Sequence, residues 1–332
     1  MRERVRERER ERERLRERLA DVATTTLAWA GAGEATGAVL MCRNNFARID
    51  RGHNAPRVAR CPYFPDSAKK ELDKYAAIVF VGEKPPVAMF GYTDGLSVLV
   101  DEVDAARPVL RLPASALQAL HKACGGGVAK SRPMKEARLP SDLTKKLTPP
   151  LICGAIAKHQ PADCVVVDES LTCGGMYYQQ SQDCPPFTHM TLTGGSIGIG
   201  PPLSLGAAVA LREAQPTRGA LPPRVVINFQ ADGSALYSAQ ALWTQAREKL
   251  KVVTVIAANR AYAILEEEQR KQQLQLETSS TRLDGPPIDW VALAKGYGVP
   301  ASAAATLGEL EDALRAALAA DGPYLIECLY KI

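Results

Sequence analysis

Residues 224–265 read RVVINFQADGSALYSAQALWTQAREKLKVVTVIAANRAYAIL. Two apolar, β-branched runs, 224–230 and 251–258, flank a segment of helical composition at 235–250. Strand, helix and strand in this order predict one βαβ crossover, whose right-handed connection makes the strands parallel. Their carboxyl ends then share one edge of the sheet. Asp232 follows the first strand and Asn259 the second, so both face the crevice where open α/β sheets bind ligands.

Outward from this unit the alternation continues. Helix 151–158, strand 164–169, helix 202–213, helices 262–273, 289–297 and 307–320, and strand 324–330 predict a parallel sheet with helices on both faces. Upstream, AVLMC (38–42) and AAIVFVG (76–82) read as buried strands, with helices at 67–75 and 113–124 and a further short strand in PVAMFGY (86–92). The domain boundaries expected are a low-complexity tail over 1–30, a partial central domain over 31–125, a Gly/Pro/Lys-rich linker over 126–140 and a C-terminal domain over 141–332.

Composition narrows the function. The chain has 332 residues and a net charge of +4, and residues 1–18 alone contribute nine Arg and six Glu. The remainder is close to neutral, which argues against a nucleic-acid-binding surface. No apolar run reaches the roughly 18–20 residues of a membrane helix, and the N-terminus shows no apolar signal-peptide core. Its six Glu also argue against a transit peptide. None of the eight Cys form C-x-x-C and the four His are scattered. They read as reduced thiols of a soluble intracellular protein, cytoplasmic by default, with an organellar address left open.

Two glycine-rich stretches are weak signals. GAGEATG (31–37) runs directly into AVLMC, leaving no room for the crossover helix of a dinucleotide fold. GGGVAKS (125–131) has Ala129 where a phosphate loop needs Gly. Both read as loops.

The Asp232–Asn259 pair suits a specific task. A carboxylate, an amide oxygen and a backbone carbonyl are hard ligands for Mg²⁺, which also takes phosphate oxygens and water. Gly233 permits close approach of an anion, and the following helix start offers free N–H groups. Read singly, Asp232 is also an ordinary helix N-terminal residue and Asn259 an ordinary turn residue; their spacing favours the ligand reading. Trp243 reads as core, and Glu266–Glu268 as a solvated face.

ADGS, 25 residues from Ser234 to Ala258, then Asn259, resembles the diphosphate-binding signature of thiamine diphosphate enzymes. LTGGSIGIGPPLSLGAAVA (192–210) and DWVALAKGYGVPA (289–301) also resemble these enzymes, particularly acetolactate synthase large subunits and benzoylformate decarboxylases. The resemblance covers 141–332 well and 35–100 more loosely, where it looks like the end of the family's central domain. It implies an α/β fold: a truncated, Rossmann-like central domain before a six-stranded parallel diphosphate-binding domain. It implies Mg²⁺ held by Asp232, Asn259 and the Ala261 carbonyl. It implies diphosphate contacts from Gly233, Ser234 and the Leu171–Thr172 region. Gly195, Ser196 and Ile197 match the turn whose bulky apolar residue holds the cofactor bent; read singly, Ile197 is also plain core. The implied chemistry is 2-oxo acid decarboxylation or carboligation by an acetolactate synthase-like enzyme, with simple decarboxylation or a non-catalytic half-enzyme as alternatives. A small 2-oxo acid is the implied substrate, and FAD use stays undecided.

Two departures stand out. Ala231 replaces the leading Gly of GDG, which implies weakened cofactor binding. The family's pyrimidine-binding domain, with its catalytic Glu, has no counterpart here, so no catalytic residue is assigned. The resemblance therefore implies a homodimer or homotetramer, or a separate subunit that supplies that domain.

Overall fold

The computed structural model describes residues 33, 36–92, 95, 97–100, 107–125, 133–214, 224–274 and 278–331. The Arg/Glu-rich tail, most of 31–37 and all but the first residue of 125–131 lie outside them. Two compact units emerge, one from the described residues up to 44 and 54–131, the other from 45–53 and 132–332.

The first unit holds two small parallel sheets. Strand β1 (Leu40–Cys42) pairs with β3 (Val58–Arg60), and β4 (Ile78–Val81) pairs with β5 (Val109–Leu112). Helix Pro65–Leu72 opens on Pro, which suits a first turn whose N–H has no partner. It buries Ala68 and Leu72. Residues 86–92 contribute an isolated bridge, Val87 to Val98, instead of the strand expected there.

The second unit is built on one sheet. Its strands are β2 (Arg48–Arg51), β6 (Val165–Glu169), β7 (Phe187–Thr191), β8 (Val226–Ala231), β9 (Val252–Ala258), β10 (Ala301–Ala304) and β11 (Tyr324–Leu329). Their order is β10-β11-β9-β8-β6-β7-β2. The six expected parallel strands carry a seventh, β2, which is antiparallel to β7. Every residue of β9 is buried, as a strand covered on both faces requires. Helices Pro149–His159 and Leu307–Ala319 pack on one face through Ile152, Ile156, Leu310 and Leu314. Trp290, Leu242 and Ala294 build a second cluster with Ile256 and Leu325.

The helix expected over 235–250 is broken. A single turn, Asp232–Ala235, ends quickly, and a second helix runs Ala241–Arg247. The second piece turns Leu242 and Gln245 inward and leaves Trp243 about half exposed, under the Arg247 guanidinium. Trp243 is therefore a surface residue, not core. Glu268 departs in the other direction: it is buried although its neighbours read as a solvated run.

Among the described residues no helix is long and apolar enough to cross a membrane.

Candidate functional site

Register places the site. Glu169 lies beside Gln230, and Ala231 beside Ala257, so β6, β8 and β9 end nearly level. From β6 the chain first runs to β7 on one side, then returns to β8 on the other. The carboxyl ends of β6 and β8 therefore flank a topological switch point, where such sheets open a crevice. The crevice found there is lined by Ser170, Leu171 and Thr172 after β6, by Gly233 and Ser234 after β8, and by Asn259, Ala261 and Tyr262 after β9.

Asp232 begins the short helix beside this crevice and is almost fully buried. Its Oδ1 accepts the Gly233 amide at 2.9 Å and its Oδ2 the Arg260 amide at 2.6 Å. The second bond ties the end of β8 to the turn after β9. Burial pushes the Asp232 carboxyl up to about 6, against the opposing pull of the Arg260 and Gly233 amides. Asn259 folds back so that its Oδ1 accepts the Ala261 amide at 3.0 Å. Arg260 between them adopts a left-handed conformation, φ 61°, which makes the turn tight.

Gly233 is glycine for a steric reason. A Cβ there would stand 2.5 Å from Cε1 of Tyr262, whose hydroxyl donates to the Gly233 carbonyl at 3.3 Å. Ser234 is fully buried and its Oγ has no hydrogen-bond partner within the protein. A buried hydroxyl left this way is costly unless something outside the chain meets it. Ala231 has φ −76°, a conformation open to any residue, so the methyl that replaces glycine there adds no backbone strain.

The turn before helix Gly200–Ala214 is held from below. Glu169 accepts the Gly198 amide through Oε1 and the Gly200 amide through Oε2, both at 2.5 Å, and the Gln230 side-chain amide at 2.9 Å. Gly198 takes φ 97°, and a Cβ there would meet Tyr237 at 2.5 Å. Gly195 and Ser196 are exposed and Ile197 is half-buried on the same turn. These three do not line the crevice formed by the other candidate residues. They stand on a neighbouring turn, linked to the Asp232 segment by a 2.6 Å bond from the Ser238 hydroxyl to the Gly198 carbonyl.

Sequence reasoning missed Glu169, Tyr262 and Ser170. The acid closing the run VVVDE was a legible signal for the first. Nothing in the sequence marked the other two.

The donor set fits a hard divalent cation beside an oxyanion. Among the described residues no group of three His, Cys, Asp or Glu side chains could hold a metal. A cation here would rely on one carboxylate with amide and carbonyl oxygens, which suits Mg²⁺ completed by phosphate and water. The orphaned Ser234 hydroxyl and the close-approach position at Gly233 suit the phosphate itself.

Comparison with known proteins places a diphosphate-bearing cofactor in this family of domains. Residues 171–328 match the family model "Thiamine pyrophosphate enzyme, C-terminal TPP binding domain". Over 303 residues the chain is 37% identical to the Mycobacterium tuberculosis protein named "Putative acetolactate synthase large subunit IlvX", covering 89% of this chain and 56% of that relative. Over 202 residues it is 36% identical to benzoylformate decarboxylase of Pseudomonas aeruginosa, covering 59% of this chain and 36% of the relative. The chain thus spans little more than half the length of the first relative and about a third of the second. A solved structure, the thiamine diphosphate-dependent 4-hydroxybenzoylformate decarboxylase of Rhodococcus jostii RHA1, superposes with a TM-score of 0.73 at 23% identity, covering 92% of this chain and 59% of that one. This last likeness concerns the fold.

Proposed function

We infer that this chain, whose residues 171–328 belong to the thiamine pyrophosphate enzymes as their C-terminal TPP-binding domain, supplies the diphosphate-binding half of a thiamine diphosphate site. The observation that carries this reading is the 2.6 Å bond from the Arg260 amide to Asp232, which draws the candidate ligands of two strands into one turn.

In this reading Asp232, Asn259 and the Ala261 carbonyl hold Mg²⁺. Gly233, Ser234 and Thr172 hold the diphosphate, and Ile197 supports the cofactor from the adjoining turn, with Gly195 and Ser196 beside it. When bound, thiamine diphosphate supplies an electron sink for carbon–carbon cleavage or formation at a 2-oxo acid. This chain's own residues bind and orient. The buried Asp232 carboxylate balances the cation, and the ring of Tyr262 covers the Gly233 backbone. The family's proton-transfer Glu, with the pyrimidine-binding module, comes from outside this sequence, either as part of a longer chain or as a separate subunit.

The reaction proposed is acetolactate synthase-like, because the 303-residue match extends across both structural units. Simple 2-oxo acid decarboxylation is the second reading, favoured by the 36% identity to a benzoylformate decarboxylase over 202 residues.

Calorimetric titration with thiamine diphosphate, with and without Mg²⁺, tests the site. Binding that requires Mg²⁺ and is lost in Asp232→Ala is expected. Equal binding by wild type and Asp232→Ala would overturn the assignment.

A further inference from the structure

Strand β2 joins the second unit from a segment far upstream of the rest of it, and its last residue is a buried arginine. Arg51 is 7% exposed. A buried cation needs partners, and the planar guanidinium reaches several at once. It donates to the Ser181 hydroxyl at 3.1 Å, to Nδ1 of His189 at 3.1 Å and to the Tyr178 carbonyl. It also lies over the Tyr178 ring, 3.5 Å from the centroid.

Arginine only donates. Nδ1 of His189 must therefore accept, and the ring proton sits on Nε2. That nitrogen faces Oδ2 of Asp168 at 3.5 Å. Oδ1 of Asp168 accepts both the backbone amide of Ser170, at 3.1 Å, and its hydroxyl, at 2.5 Å. His189 and Ser170 are essentially inaccessible to solvent, and Asp168 is 7% exposed. Buried polar groups thus run from Arg51 to the first residue of the wall Ser170–Leu171–Thr172, hydrogen-bonded at each step but one: Nε2 of His189 stands against Asp168 in close contact without a hydrogen bond. Leu171 on that wall takes φ 50°, so its course depends on being held from outside.

We propose, on the cofactor assignment given above, that Arg51 acts through His189 and Asp168 to set the Ser170–Thr172 wall against the diphosphate, which makes β2 a positioning element of the cofactor site. Arg51 is not among the residues that line the crevice. Its effect passes entirely through the loop.

The test uses the 332-residue chain carrying Arg51→Met, His189→Leu, His189→Gln or Thr188→Val. Thiamine diphosphate is titrated at saturating Mg²⁺, and amide exchange over 170–173 is followed without cofactor. Thr188→Val removes a 2.8 Å bond to Asp50 between β2 and β7 that lies outside the chain of contacts from Arg51, and so controls for loss of stability alone. Arg51→Met and His189→Leu are expected to weaken thiamine diphosphate binding by about tenfold or more, as losses of ligand-orienting partners do, and to speed exchange over 170–173. His189→Gln should recover most of both, since its amide offers an acceptor and a donor at imidazole spacing. Thr188→Val should leave both near wild type. Wild-type affinity and exchange in Arg51→Met would overturn the proposal, as would equal weakening in Thr188→Val. Should Arg51→Met fail to fold, the two His189 variants decide the matter: equal behaviour of Leu and Gln overturns it. If the wild type binds no thiamine diphosphate, the cofactor assignment falls, and exchange over 170–173 still decides whether Arg51 sets the wall.

Discussion

Glu169 holds Gly198: its carboxylate accepts the Gly198 amide at 2.5 Å, and the second oxygen takes the amide of Gly200. The end of β6 and the turn carrying Ile197 therefore move together. Glu169→Gln would place an NH₂ group against one of these amides and leave a buried donor unpaired. The expected loss is about 1–3 kcal/mol of stability, read as a lower urea midpoint, with weaker thiamine diphosphate binding. An unchanged midpoint would show that the turn stands without this grip.

Gly233 and Tyr262 form a second tight pair. Gly233→Ala puts a methyl 2.5 Å from the tyrosine ring, so the ring or the Asp232 turn must shift. Overpacking of this kind costs about 1–3 kcal/mol, and cofactor affinity should fall with it. Tyr262→Ala in the same chain should restore part of the stability, because the two sites are coupled. Additive losses in the double variant would count against this contact.

Asp232 sets a pH dependence of known sign. Its folded value of about 6 lies above the ordinary carboxylate range, so the folded chain holds this proton more tightly than the unfolded one. The ionised group costs the cofactor-free fold roughly 3 kcal/mol above pH 6, and the cost fades as pH falls towards 4. Burial raises Glu169 and Glu327 in the same direction. Mg²⁺ binding follows the opposite course, because it needs the ionised carboxylate. Magnesium titrations at pH 7, 6 and 5 should show affinity falling towards about tenfold per unit below pH 6. A flat profile would remove Asp232 from the ligand set.

Ile197 is half-buried on an exposed turn, so Ile197→Ala should change melting little. It should still weaken thiamine diphosphate binding if the side chain supports the cofactor. A large stability loss without any change in binding would make Ile197 plain core.

The crossover over 224–265 was legible because its strands are continuous apolar runs and its two polar ligand candidates stand directly after them. The interruption of its helix was not, since Leu236 to Gln240 carry no Pro or Gly to mark a break. Trp243 looked like core by type, yet the helix restarts at Ala241 and turns Leu242 inward instead. Strand β2 reads Arg-Ile-Asp-Arg and has no apolar signature. It is a strand because β7 pairs with it and because Arg51 finds its partners only after the sheet has formed. Glu268 lies in a charge run that composition assigns to solvent, and tertiary packing overrides this.

The pairing of β2 with β7 also fixes where this protein can be cut. The unit that carries the candidate site borrows residues 45–53, and Gly52 among them, at φ 100°, lies so close to the Pro185 carbonyl that a side chain would reach within 2.6 Å of it. A truncated version beginning at residue 133 would leave the outer side of β7 as a bare row of amides and carbonyls, open to strand-by-strand polymerisation. Such a fragment is expected to precipitate or form fibrils on concentration, and a synthetic peptide spanning 45–53 should slow that growth by capping the open edge.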